Sequence, residues 1–143
     1  MNKISAILTR KGAQVISVSP DTTVLEALKI MDEKNIGSIV VSDNGNYLGI
    51  ITERDYSRKV ILKDKNSANT PVSEIMSSSL PRVSPTDSID HCMALMTRQN
   101  IRYLPVFENN QLAGIISMSD VVKETIITQR ETISHLENYI QGQ

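Results

Sequence analysis

Tryptophan is absent from this 143-residue chain, and all aromatic residues together make up only 3% of it. Any core must therefore be assembled from isoleucine, valine, leucine and methionine, and a stacking platform for nucleic-acid bases has no material. Cysteine occurs once, at Cys92, so no internal disulfide can form, as suits a reducing cytoplasm. Basic runs are missing and the formal net charge is −1, which argues against a nucleic-acid partner. No apolar stretch is long enough to cross a bilayer, and the polar N-terminus has no signal-peptide core. A cytoplasmic protein without a membrane partner is the expectation.

Catalytic signatures are missing too. There is no Walker-type loop, no G-x-G-x-x-G, no zinc-ligand spacing and no Ser/His/Asp set. His91 and His135 have no partner at metal-ligand spacing. Glu53 and Asp55 stand two apart on a predicted helix and do not face each other, so they make no acid–base pair. Cys92 occupies a small helix position facing packing, with no cations beside it in sequence, and reads as an inert buried thiol. The chain is expected to have no catalytic residues, no metal and no catalytic cofactor. It is not expected to be an enzyme.

What is present is ordinary globular composition, 40% hydrophobic and 22% charged, and a pattern that occurs twice. Residues 3–9 place Ile4, Ile7 and Leu8 at helical spacing, and Lys11-Gly12 closes that helix. Val15 to Val18 alternates like a strand and Ser19-Pro20 breaks it. Val24 to Lys34 sets Val24, Leu25, Leu28 and Met31 toward one helical face. Ser38–Val41 and Tyr47–Ile51 read as strands joined at Asp43-Asn44-Gly45-Asn46, a hairpin signal. A helix follows from Thr52 to about Leu62, and Lys63 to Pro71 is polar and unpatterned. Then Ser19-Pro20, Asn35-Ile36, Gly49-Ile-Ile and Asp55 each recur 65 positions later, at Ser84-Pro85, Asn100-Ile101, Gly114-Ile-Ile and Asp120. An ungapped register over that span is an internal duplication of a β-α-β-β-α unit. The predicted fold class is α/β of the α+β kind, with the units expected to pack on each other sheet against sheet, because neither buries both helix faces alone. The divisions are residues 1–14 (N-terminal helix), 15–62 (first repeat), 63–80 (linker), 81–125 (second repeat) and 126–143 (helix extension). From Ser119 the last helix has no stop signal before Gly142. Ile126, Ile133 and Ile140 recur every seven residues, Val122 and Leu136 fill the seam, and Gln129 interrupts it. Such a helix packs on its own module or across a dimer.

The end of the first repeat, Gly49-Ile-Ile-Thr-Glu-Arg-Asp55, is where chemistry could lie. Thr52 followed by Asp55 is a capping signature at a strand-to-helix corner. A helix N-terminus suits a phosphate, Arg54, Arg58 and Lys59 add charge, and the two oxygens of Asp55 suit a vicinal diol such as ribose. A plain capping box needs no ligand, and both readings stay open at this point. The same holds for Ser117 and Asp120.

Two copies of Ser-Pro, an apolar helix, Asn-Ile and a Val-rich strand, each closing on Gly-Ile-Ile-(Thr/Ser)-x-x-Asp, resemble a tandem pair of CBS domains over nearly the whole chain. The Thr-Glu-Arg-Asp-Tyr-Ser-Arg-Lys stretch is similar to that of stand-alone CBS pairs. The resemblance implies a Bateman module with two clefts related by pseudo-twofold symmetry, usually a homodimer, regulating a protein partner through an adenosine ligand: AMP, ADP, ATP, NAD(H) or S-adenosylmethionine. By the same resemblance, Asp55 would hold the ribose hydroxyls and Thr52 the ribose or α-phosphate, with Arg54, Arg58 and Lys59 on phosphates. Ser17 and the backbone of Gly37, Ser38 and Ile39 would border adenine. Ser117 and Asp120 match the ribose positions of the second repeat, and Arg102, Tyr103, Leu104 and Pro105 match its ligand-facing segment, with Arg102 reaching toward a nucleotide on Asp55. Arg54 is replaced by Ser119, and Arg58-Lys59 by Lys123-Glu124, so the Thr52–Asp55 side is expected to be the stronger phosphate site. The rival reading is a docking or dimerisation module whose clefts bind nothing.

Overall fold

The computed structural model describes residues 2–12 and 14–141. Its chain divides into two compact units, Gln14–Leu80 and the described parts of Met1–Ala13 with Pro81–Gln143. In chain order the elements are α1 (Ile4–Lys11), β1 (Ser17–Val18), α2 (Val24–Lys34), β2 (Ser38–Asp43), β3 (Asn46–Thr52), α3 (Glu53–Lys59), α4 (Ile89–Gln99), β4 (Tyr103–Glu108), β5 (Gln111–Ser117) and α5 (Met118–Ile140). The fold is mixed α/β, and the duplication holds element by element. Helices α2 and α4, hairpins β2–β3 and β4–β5, and the starts of α3 and α5 all stand 65 residues apart.

The local chemistry repeats with the elements. Thr23 and Ser88 cap α2 and α4, each hydroxyl accepting the backbone N–H three residues on. Asn35 and Asn100 end those helices in the left-handed conformation that asparagine tolerates. Both hairpins turn on two residues with positive φ, Asn44-Gly45 and Asn109-Asn110, the geometry that lets a two-residue loop follow strand twist. Both carry a register shift, at Val41/Ser42 and Val106/Phe107. Strand β1 pairs parallel with β2, whereas its counterpart is a single bridge between Val83 and Val106.

Each unit has its own aliphatic core. In the first, Val24, Ala27 and Met31 of α2 meet Ile39, Val41 and Ile51 of the sheet. In the second, Ile89, Cys92 and Met96 of α4 meet Leu104, Val106 and Ile116. Burying one such side chain fully contributes about 1.5–3 kcal/mol. Of the face expected on α2, Leu25 is only half-buried and Ala27 replaces it, because positions 24, 27 and 31 share the stripe that faces the sheet.

Three expectations need correction. The first strand covers only Ser17–Val18, with Ile16 contributing its carbonyl to Val40. Helix α3 stops at Lys59 rather than near Leu62, because Val60 turns into the core while Ile61 and Leu62 lie exposed in a short 3-10 turn. A helix could not bury Val60 and continue through two further aliphatics without presenting them elsewhere on its surface. Helix α5 begins at Met118 and ends at Ile140, and Gly142, the expected stop, lies outside the described residues.

The segments that lead into the two repeats are exchanged. Ile4 N–H donates to Asp87 C=O, Ser5 N–H to Pro85 C=O, and Ile89 N–H to Asn2 C=O. The same three bonds join Val72 to Thr22, Ser73 to Pro20 and Val24 to Thr70. Thus the stretch before the first repeat packs on the second, and the stretch before the second packs on the first, in a register offset by 68 residues (Ile4 to Val72). Ile4 and Ile7 fill one core as Val72 and Ile75 fill the other.

These leaders press on two glycines. A Cβ on Gly49 would lie 2.8 Å from the backbone oxygen of Ser77, and one on Gly114 would lie 2.8 Å from the Cδ2 end of Leu8. Backbone yields less than the tip of a leucine, so the two sites should differ. Gly49→Ala is expected to cost about 1–3 kcal/mol and Gly114→Ala under about 1 kcal/mol, read by chemical denaturation. Equal losses would mean that the leader beside Gly49 shifts as easily as a rotamer.

Candidate functional site

Each repeat carries a corner where a strand becomes a helix, and antiparallel pairing brings the start of the hairpin beside it. Ser38 pairs with Thr52, and Tyr103 with Ser117. The first amide of α3 donates to Gly37 C=O (3.3 Å), and that of α5 to Arg102 C=O (2.8 Å). The third amide, of Asp55 or Asp120, donates to the cap hydroxyl, and the carboxylate reaches back to the cap amide. Both corners are reciprocal capping boxes. The amides of Glu53 and Asp55 are therefore committed within the fold.

Asp55 is the most enclosed group of the first corner, its side chain 7% exposed. Its Oδ2 accepts Thr52 N–H and Thr52 Oγ1–H at 3.0 Å each, and its Oδ1 accepts Ser77 Oγ–H at 3.0 Å. The ammonium of Lys59, one turn further on, lies 2.9 Å from Oδ1 and also donates to Ile75 C=O. A buried carboxylate needs such compensation, since desolvating a charge without partners costs several kcal/mol. Lys59 thus serves Asp55, an i,i+4 pair, while Arg58 is exposed and Arg54 half-buried.

Asp120 is held differently. Ser117 N–H and the ammonium of Lys11 both donate to Oδ2, at 2.9 Å each, and its side chain is 18% exposed. Lys11 also donates to Ile115 C=O. That carbonyl corresponds to Ile50 C=O, which in the first unit accepts Ser77 N–H. Ser77 and Lys11 therefore perform equivalent tasks, each brought by a leader to the carboxylate of the repeat it packs on.

A cleft adjoins each corner, between the helix end, the hairpin start and the first turn of the following helix. In the first unit it measures about 290 Å³, lined by Leu28, Met31, Asp32, Asn35, Ile36, Gly37 and Glu53. In the second it measures about 450 Å³, lined by Met96, Thr97, Asn100, Ile101, Arg102, Tyr103, Ser117, Met118 and Ser119. The first cleft is bordered by two acids, the second by a guanidinium and hydroxyls.

The structure gathers Gly37, Ser38, Thr52 and Asp55 at one corner and Arg102, Tyr103, Ser117 and Asp120 at the other. Ile39 and Leu104 turn into the cores, and Pro105 is buried with its carbonyl accepting Val83 N–H. Ser17 pairs with Val40 on the neighbouring strand and is exposed. Sequence reasoning missed Ser77 and Lys11. The 68-residue correspondence of Ile4, Ile7 and Leu8 with Val72, Ile75 and Met76 was available as a signal for the Ser77 segment. Nothing in the sequence pairs Lys11 with Asp120.

Position 59 of the first repeat is a lysine, and its counterpart is Glu124, buried at 2% exposure. Arg10 Nε donates to Glu124 Oε1 at 2.7 Å, and Asn2 Nδ2 donates to Oε2 at 3.0 Å and to Thr128 Oγ1. The hydrogen bond and charge of Glu124 raise the Arg10 guanidinium above its ordinary value. Cys92 is fully buried, and desolvation, with Asp87 adding to it, pushes its thiol up to about 12. Among the described residues no group of His, Cys, Asp and Glu forms a metal-binding cluster, and no helix is long and apolar enough to cross a membrane.

The profile of the CBS domain matches residues 4–61 and 72–127. The chain is 36% identical to the CBS domain-containing protein CBSX3, mitochondrial, of Arabidopsis thaliana, over 97% of this chain and 72% of that one. It is 34% identical to the CBS domain-containing protein YhcV of Bacillus subtilis, over 82% and 84% respectively. A solved structure of a candidate signal-transduction protein with CBS domains from Burkholderia ambifaria superposes with a TM-score of 0.85 at 41% identity, covering 90% of this chain and 96% of that one.

Two outcomes are expected from this geometry. Ser77→Ala, which strips hydrogen bonds from the Asp55 carboxylate, should lower stability by about 1–3 kcal/mol in denaturant melts, with Ser78→Ala as the neutral control. Cys92 should resist iodoacetamide at pH 8 in the native protein and react fully in urea, as mass spectrometry would report.

Proposed function

This chain belongs to the CBS-domain family, and from that premise we propose that it is a non-catalytic regulatory module that binds an adenine nucleotide, AMP-type or NAD(H). One observation carries the reading: a hydroxyl and a carboxylate are fixed three residues apart beside a cleft, and the arrangement occurs in both units. A carboxylate with accessible oxygens accepts two hydroxyls of a ribose, and nearby cations suit its phosphate.

The two corners differ in readiness. Asp120 receives its bonds on one oxygen and adjoins the larger cleft through Ser117 and Ser119, with Arg102 in that lining to meet a phosphate. Lys11 is engaged by Asp120 as Lys59 is by Asp55. Asp55 is more deeply buried and bonded through both oxygens, with Asp32 and Glu53 lining the cleft beside it. The geometry therefore favours Asp120 for the first nucleotide, whereas sequence charge alone favours Asp55. The physical reason is the cleft lining, since each carboxylate already holds one lysine: Arg102 lines the second cleft, Asp32 and Glu53 the first.

Regulation follows from the donors that the leaders supply. A ribose that takes Asp55 or Asp120 competes with Ser77 or Lys11, each of which belongs to an exchanged leader. Binding would shift the population of leader positions, and with it the surface offered to a protein partner or to a second copy in a homodimer. The proposed regulated protein is recognised by that surface, and catalysis has no part in the scheme.

Calorimetry and thermal shift with AMP, ATP, NADH and S-adenosylmethionine test this. A ligand of the native state must raise the melting temperature. Asp120→Asn is expected to weaken the preferred ligand about 10- to 100-fold at little cost in stability. Asp55→Asn should lower stability more and affinity less. If no adenosine compound shifts the melt at millimolar concentration, the ligand-independent docking reading replaces this one.

A further inference from the structure

Helix α5 carries two separate faces. Val121 and Glu124 are buried within its own unit. The other face runs through Val122, Ile126, Gln129, Ile133, Leu136 and Ile140, alternating steps of four and three, and every one of these residues is exposed. From Gln129 to Ile140 no residue at all is covered, although Ile133 and Leu136 stand 55% and 56% exposed and Ile140 79%. About three turns of helix with a naked aliphatic seam do not hold by themselves in water. Something covers them.

The charges beside the seam select the occupant. In a parallel pair Gln129 would face itself, and the flanking contacts would be Thr125 with Arg130 and Thr132 with Glu137, none of them a pair of opposite charges. In an antiparallel pair centred between Ser134 and His135, Ile133 meets Leu136 of the other copy twice and Ile140 meets Gln129 twice. Arg130 then stands beside Glu137 of the other copy, also twice. Sliding by one heptad would set Lys123 beside Glu137 twice, but it would oppose Arg130 to Arg130 at the centre and draw on Val122 and Ile126, which their own unit already half covers. The favoured register overlaps residues 129–140, the same stretch that leaves its own unit uncovered.

We propose that residues 129–140 form an antiparallel two-helix seam with the same residues of a second copy of this chain. The test of the seam uses none of the residues at the corners.

Sedimentation of the full chain across a concentration series is the first measurement, with circular dichroism as the check on folding. Leu136→Lys, an exposed substitution, should raise the dissociation constant for self-association at least about tenfold. Arg130→Glu should weaken association, and Arg130→Glu combined with Glu137→Arg should restore it. Orientation is read by oxidative cross-linking, in which buried Cys92 stays silent. Gln129→Cys mixed with Ile140→Cys should give a disulfide-linked dimer that neither variant gives alone. A link formed by Ile140→Cys alone would establish a parallel pair and overturn the proposal. So would a wild-type chain that stays monomeric throughout, or a dimer indifferent to Leu136→Lys.

Discussion

A carboxylate placed in the first turn of a helix and then shut off from water dictates much of this structure. Asp55 must keep its charge compensated, and the residues that do so come from the cap, from one helical turn on and from a segment 22 residues away in sequence. Because Ser77 has to reach that carboxylate, the chain after Pro71 runs along β3, and Ile50 and Ser77 exchange both backbone bonds. Because the backbone runs so close, position 49 has no room for a side chain. Cap, leader and glycine are one arrangement seen from three sides.

The second unit solves the same problem with other atoms. Lys11, on a full helical leader, supplies by one ammonium what Ser77 supplies by a hydroxyl and an amide. The neighbouring position has even changed sign, from Lys59 to Glu124, and in each case the leader provides the complement: a carbonyl at Ile75 for the cation, Arg10 and Asn2 for the anion. Truncating a partner of a buried charge generally costs more than the pair contributes. The residues at each corner are therefore matched as a set rather than singly.

Most of the architecture was legible in the sequence because it is written in local signals. Asn44-Gly45 names its own turn, Thr52 and Asp55 name a cap, and the 65-residue register names the duplication. What escaped depends on contacts between distant segments. Val60 could only be placed once the core around it existed, and Lys11 stands 109 positions from Asp120. The stretch around Val72 and Ile75 fell within the expected linker because two aliphatics among serines and a glutamate make no periodic pattern. Charge counting at the first corner left out one contact. Three cations follow Thr52 in sequence, but i,i+4 geometry had already assigned Lys59 to Asp55.

The traded leaders also bear on whether one repeat can stand alone. A self-sufficient repeat would keep its own opening segment. Instead each completes the other, down to corresponding backbone bonds. Neither repeat, cut out with the segment that precedes it in the chain, would close its own core.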